Sequence, residues 1–169
     1  IAPDRCHFYE IDLGDFARVE AFFDSHDFDA MIHFAASIVV PESVEDPLKY
    51  YMNNTVNTTH MIKQCLNNRI NKVVFSSTAA VYGEPEEVPI LETTTQNPIN
   101  PYGMSKLMSE RVLADASTAH EDFNYVVIRY FNVAGADVEG MIGENHEPET
   151  HLIPLIIHAA IGKRDKIMQ

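Results

Sequence analysis

The run Lys72-Val73-Val74-Phe75-Ser76 constrains the fold more than any other stretch. A continuous apolar strand of this kind suits the middle of a parallel sheet, covered by helices on both faces. Its polar end, Ser76-Ser77-Thr78, then falls at the carboxyl terminus of a strand. The flanking sequence supplies the rest of such a sheet. Further strands are predicted over residues 7–11, ending at Asp12, over 29–34, running into Ala35-Ala36, and over 125–130. Helical patterns separate them. Asp15 caps a helix to about Asp24 with Phe16, Val19, Phe22 and Phe23 on one face. After a loop with Pro41 and Pro47, a helix covers 47–66 with a stripe of Leu48, Tyr51, Met52, Val56, Ile62 and Leu66. A polar, glycine-containing loop over 135–150 leads to a last helix over 151–161, stopped by Gly162 and followed by Lys163 and Arg164, which complement its dipole. Alternation of strand and helix predicts an α/β fold with a parallel sheet and right-handed connections. Such sheets bind ligands at the carboxyl ends of their strands. Here those ends carry Asp12, Ala35-Ala36, Ser76-Ser77-Thr78, and Tyr130 with Asn132.

The stretch Asn100-Pro101-Tyr102-Gly103-Met104-Ser105-Lys106-Leu107 opens another helix, with Asn100 as N-cap and Pro101 at its first position. Met104, Leu107, Met108 and Val112 are expected to pack inward. Tyr102 and Lys106, four residues apart, share a face. An ammonium beside a phenol favours the phenolate, so the pair can make a tyrosine basic near neutral pH. Spacing alone is also what a solvated surface pair would show. The strand-end residues on the same edge distinguish this pair.

Composition narrows the function classes. A net charge of −13 argues against nucleic acid or an anionic membrane as partner, because phosphate binding needs a basic footprint. No segment is long and apolar enough to span a bilayer, and the N-terminal residues hold no apolar signal core. Cys6 and Cys65 form no C-x-x-C pair and read as inert thiols, which suits a reducing, cytoplasmic setting. His33, in an apolar strand, reads as a satisfied core histidine. His146 and His151 flank Pro148 without a metal-binding spacing, so no metal is assigned. The acidic stretch 84–92 reads as solvated surface.

Several stretches together resemble the extended short-chain dehydrogenase/reductase superfamily, on its UDP-hexose 4-epimerase branch. They are Ser-Ser-Thr-Ala-Ala-Val-Tyr-Gly at 76–83, Tyr-Gly-Met-Ser-Lys at 102–106, and the segments 32–36, 42–54, 127–136 and 142–166. The resemblance covers essentially the whole chain. It implies NAD-dependent 4-epimerisation of a UDP-hexose such as UDP-glucose or UDP-galactose, by transient oxidation at C4, in a cytoplasmic homodimer of galactose metabolism. It implies a partial Rossmann-type sheet with flanking helices over residues 1–130. Residues 131–169 would begin a nucleotide-sugar-binding region.

By the same resemblance, Tyr102 is the general base, Lys106 lowers its pKa and binds the nicotinamide ribose, and Thr78 bonds the sugar O4. Asp12 and Leu13 would lie at the adenine. Phe34, Ala35 and Ala36 would line the cofactor, Asn53 and Ser76 would bond it, and Tyr130 would contact its nicotinamide end. Asn132, His151 and Leu152 would meet the diphosphate and uridine of the substrate.

Two departures matter. Superfamily members that dehydrate sugars carry an Asp-Glu pair after the threonine, whereas Ala79 and Ala80 stand here, which disfavours dehydration. The glycine-rich loop that holds the cofactor pyrophosphate at a helix N-terminus is absent: the seven glycines are scattered at 14, 83, 103, 135, 140, 143 and 162. The chain therefore reads as an internal fragment that opens at the family's third strand and closes near Gln169 on the start of another. Residues 7–11 would then lack a sheet partner, and 29–34 would form an exposed, association-prone edge. Two rival readings stay open: a superfamily enzyme acting on another nucleotide sugar, and a non-catalytic domain unable to hold NAD.

Overall fold

A computed structural model of the chain describes residues 5–143, 146, 147, 149 and 151–164. They fall into two compact units, divided between Phe131 and Asn132. The first unit is built on a three-stranded parallel sheet in the order β1 (Met31–His33), β2 (Lys72–Thr78), β3 (Asn124–Tyr130). β2 is central, as its apolar run requires. Its register sets His33 beside Phe75 on one side, and Ser77 beside Arg129 and Thr78 beside Tyr130 on the other. The sheet and its flanking helices are a partial Rossmann-type α/β arrangement. Among the described residues no helix is long and apolar enough to cross a membrane.

Residues 7–11 form no strand. No strand of the described residues lies beside them to complete a ladder, and side chains hold them instead. Tyr9 packs edge-on against Phe22 at 4.9 Å, its hydroxyl lies 3.0 Å from His26 Nε2, and Arg18 Nη2 donates to Glu10 O at 3.2 Å. The strand predicted over 29–34 shortens to β1, at the edge of the sheet, with Ile32 62% and Phe34 63% exposed. The strand expected near Gln169 lies outside the described residues.

α1 (Phe16–Asp24) starts where Asp15 accepts the Arg18 N–H, as predicted. Val19 and Phe23 enter the core, whereas Phe16 stays 39% exposed and stacks on His60 at 4.1 Å. The loop predicted around Pro41 contains a helix, α2 (Val40–Glu45), because Pro41 occupies its first turn, where a missing N–H costs nothing. The single helix predicted over 47–66 is three segments: α3 (Pro47–Tyr50), a π-helical turn (Tyr51–Val56) and α4 (Asn57–Asn67). Core packing gathers Val19 and Phe23 of α1, Met61, Ile62 and Cys65 of α4, Val73 and Phe75 of β2, and Leu113 of α5 (Pro101–Ala119). Burial pushes the Cys65 thiol up to about 12, in keeping with an inert side chain.

α4 ends in a Schellman turn. Ile70 N–H donates to Cys65 O at 2.8 Å and Arg69 N–H to Leu66 O at 3.3 Å, with Arg69 at φ 59°. An L-residue is disfavoured there and glycine is not. Arg69→Gly is therefore expected to stabilise the first unit by about 0.5–1 kcal/mol, read as a higher urea midpoint with an unchanged slope. An unchanged or lower midpoint would contradict the strain argument.

In the second unit, α6 (Leu152–Ala160) follows His151 and closes in the same way: Lys163 N–H donates to His158 O and Gly162 N–H to Ala159 O, with Gly162 at φ 74°. None of its residues is buried.

Candidate active site

α5 starts as its sequence dictates. Asn100 Oδ1 accepts the Gly103 N–H at 2.8 Å and Pro101 takes the first position. Its inward face differs from expectation. Met108 is 42% exposed and Met104, Leu107 and Val112 are half-buried, while Ser105, Lys106, Ser109, Glu110 and Leu113 are buried. The reason is that α5 packs against backbone. Asn54 Nδ2 donates to Ser105 Oγ at 3.0 Å, Ser109 Oγ to Asn54 O at 3.2 Å, and Thr55 Oγ1 to Ser105 O at 3.0 Å. Polar side chains on that face satisfy groups that apolar ones would orphan.

Lys106 is 2% exposed. Its Nζ donates to Ser76 O at 2.7 Å and sits 4.8 Å above the centre of the Phe75 ring. Burial pulls the ammonium down to about 8, and Glu110 one turn along α5 opposes that fall. Tyr102, one turn the other way, is half-buried and meets Tyr50 edge-on at 6.4 Å. Gly103 explains how close α5 comes to the end of β2. A Cβ there would lie 2.7 Å from Ala80 O and 3.1 Å from Pro98 Cβ. Thr78 Oγ1 accepts the Ala80 N–H at 3.2 Å and so starts a 3₁₀ turn, Ala79–Tyr82, which the sequence reading did not foresee. Ser76, Thr78, Tyr102, Lys106 and Tyr130 are thus gathered at the carboxyl ends of β2 and β3, with Thr78 and Tyr130 in register.

The other expected residues divide. Phe34 and Ala35 are exposed and Ala36 is half-buried, beyond the end of β1. Asn53, in the π turn, donates to Ser37 Oγ at 2.9 Å, beside Ala36. Asp12 does not end a strand: its Oδ1 accepts the Gly14 N–H at 2.8 Å, and Leu13 packs against the core. Asn132, His151 and Leu152 are exposed and belong to the second unit. There, Glu149 Oε1 accepts the His151 N–H at 2.7 Å and lies 3.1 Å from His151 Nδ1. The sequence spacing did not reveal this grouping, in which ligand atoms of His146, Glu149 and His151 lie within 4.8 Å of one another. His33 is a satisfied core residue: buried, 2.9 Å from Thr58 Oγ1, and held at about 4 by burial and then by Lys106.

Sequence reasoning missed a second set. Glu110, 6% exposed, accepts from Ser77 Oγ, from Arg129 Nε at 3.1 Å and from Arg129 Nη2 at 2.7 Å. Arg129 Nη1 donates to Tyr82 Oη at 2.7 Å. The available signal was the further i, i+4 step from Lys106 to Glu110.

The geometry fits a nucleotide cofactor at its ribose end. An ammonium has three protons, and among the described residues Lys106 Nζ donates to one acceptor, Ser76 O. The remaining donors of a buried cation suit sugar hydroxyls.

Fold and site together define a Rossmann-type α/β protein with a Tyr-x-x-x-Lys pair at its strand ends. The chain belongs to the NAD dependent epimerase/dehydratase family, whose model matches residues 1–168. It is 45% identical over 160 residues to a UDP-glucose 4-epimerase of Halalkalibacterium halodurans, covering 95% of this chain and 48% of that one. A solved UDP-glucose 4-epimerase of Brucella ovis in complex with NAD superposes with a TM-score of 0.87 at 49% identity, over 95% of this chain and 49% of that one. The UDP-Glc/GlcNAc 4-epimerase of Campylobacter jejuni gives 0.81 at 53% identity, over 97% and 50%. The chain spans about half the length of the curated relatives it matches.

Proposed function

We propose that the full-length protein interconverts UDP-glucose and UDP-galactose by NAD-dependent 4-epimerisation. The observation that carries this reading is the buried Lys106 ammonium on Ser76 O, one helical turn from Tyr102 and at the strand end that finishes in Thr78. NAD, when bound, supplies the hydride acceptor at C4. Tyr102 takes the proton of the sugar 4-hydroxyl and later returns it. Lys106 favours the ionised phenol and donates to the ribose, while the Thr78 hydroxyl orients O4. Phe34, Ala35, Ala36, Asn53, Ser76 and Tyr130 line the cofactor, with Asp12 and Leu13 at its adenine. Residues 1–130 serve as the cofactor-binding part, and residues 131–169 begin the substrate region with Asn132, His151 and Leu152. On this reading the protein is a cytoplasmic homodimer of galactose metabolism.

A second substrate class is favoured by one finding: the Campylobacter jejuni relative, at 53% identity, is described as acting on both Glc and GlcNAc forms. Assay of the full-length protein with NAD tests both readings. Interconversion of UDP-glucose and UDP-galactose is expected. Turnover of UDP-GlcNAc alone would replace the first reading with the second. Loss of all epimerisation in an NAD-replete preparation would refute both.

A further inference from the structure

Three elements bring residues to the candidate site: β2 with Ser76 and Thr78, β3 with Tyr130, and α5 with Tyr102 and Lys106. One buried carboxylate ties all three. Glu110 accepts from Ser77 on β2 and from Arg129 on β3, in addition to standing on α5 itself. Ser77 and Arg129 are register partners, so the carboxylate grips adjacent strands at one level. Each of these residues neighbours a site residue: Ser77 lies between Ser76 and Thr78, Arg129 precedes Tyr130, and Glu110 follows Lys106 by one turn. Side chains alternate along a strand, so Ser77 shares with Phe75 the face of β2 on which α5 packs, while the Thr78 side chain leaves from the other face, its Oγ1 accepting the Ala80 N–H.

Arg129 extends the grip. Its Nη1 donates to Tyr82 Oη at 2.7 Å and to Glu92 O at 3.3 Å, and its guanidinium lies 5.1 Å from the Tyr82 ring centre. Gln96 Nε2 reaches Glu110 Oε2 at 3.4 Å. The 3₁₀ turn after Thr78 and parts of the chain between Gly83 and Asn100 are thereby fixed to the same pair.

A buried ion pair adds little net stability over an apolar pair of the same shape, and its best-attested use is to select one arrangement. A two-pronged Arg–carboxylate bond fixes angle as well as distance. Misplacement by about 1 Å can cost on the order of 10²-fold in rate. We propose that the Glu110–Arg129 pair is a positioning unit that sets the depth and rotation of α5 against β2 and β3, so that Tyr102 and Lys106 are held at the carboxyl end of β2. The proposal rests on the epimerase reading above and names residues beyond those it uses. Glu110 is also the anion that favours the Lys106 ammonium, and His33, from β1, faces the same lysine.

The test is made on the full-length, NAD-loaded protein. Glu110→Gln keeps the shape and removes the charge. It should lower kcat by on the order of 10–100-fold with KM for the UDP-sugar within about twofold. It should also lower the pH at which Lys106 titrates, because the carboxylate that favours its ammonium is gone. Glu110→Asp should return the wild-type Lys106 titration, since the charge is back, while kcat stays reduced by the shorter reach. A variant that melts earlier but keeps wild-type kcat per folded molecule would make the pair merely structural and overturn the proposal. The titration of Lys106, followed by NMR of the 13C-methylated amine, separates this from the reaction itself. If the unsubstituted protein shows no epimerisation, the functional reading fails. A Lys106 titration unmoved by Glu110→Gln would still refute the proposal, and a shift to lower pH would support its electrostatic part.

Discussion

Replacing Tyr102 with phenylalanine should lower kcat of the full-length protein by about 10²–10⁴-fold, the range expected when a general base is removed. The fold should be untouched. The ring would keep its edge-on contact with Tyr50 at 6.4 Å, and the helix cap of Asn100 on Gly103 does not involve the phenol. The neighbouring phenol of Tyr50 cannot take over. Tyr50 is buried, its one hydroxyl proton has Val39 O at 2.6 Å and Glu42 Oε2 at 2.8 Å as acceptors, and burial with that carboxylate pushes it up to about 12. Steady-state assay beside a thermal melt and an NAD titration checks all three claims. Near-normal turnover would remove Tyr102 from the role of base.

The largest effect on stability is expected from Phe75→Ala. Phe75 is 1% exposed at the centre of β2, stacks on His33 at 5.8 Å and lies beneath the Lys106 ammonium. Truncating a buried phenylalanine typically costs about 3–5 kcal/mol, against a total of about 5–15 kcal/mol for a domain. The substitution also removes the ring face that holds the cation, a contact of about 0.5–2 kcal/mol. Phe75→Leu keeps most of the volume and loses the ring, so it should fold with a smaller deficit. Urea denaturation of both variants separates packing from the cation contact. A loss below about 1 kcal/mol for the alanine variant would mean that β2 is not the packing centre.

Local signals were legible where one residue type decides the outcome. The Asn100 and Asp15 caps, the Gly162 stop, the central place of β2 and the inert burial of His33 all follow from single side chains or short runs. Failures came where a neighbour decides. Residues 7–11 have strand composition, yet without an adjacent ladder among the described residues Tyr9 turns to Phe22 and His26. The inward face of α5 was misread because apolar spacing ranks Met108 above Ser109. The partners of α5, however, include the Asn54 carbonyl and the Ser76 carbonyl, which need hydrogen-bond donors that an apolar side chain lacks. Glu110 and Arg129 were passed over for the same reason: charge in a sequence is usually solvated, and their pairing needs the register of β2 against β3. In the candidate site, Tyr102 and Lys106 stood out by spacing, whereas the contact of Gly103 with Ala80 required coordinates.

The π-helical turn over Tyr51–Val56 has a consequence for register along the chain. An α-helix advances about 100° per residue, so one residue more or less within a continuous helix turns everything downstream by that angle. The wide turn absorbs this offset. It lets Tyr50 face Glu42 upstream while Asn54 bridges Ser37 and Ser105, and Met61, Ile62 and Cys65 still meet β2 downstream. Deleting a single residue from 51–56 would let α-helical bonding run straight through, with Tyr50 and the apolar face of α4 still in phase and the Asn54 bridge lost. The turn acts as a phase adjuster between two surfaces that a uniform helix of the same residue count could not serve together.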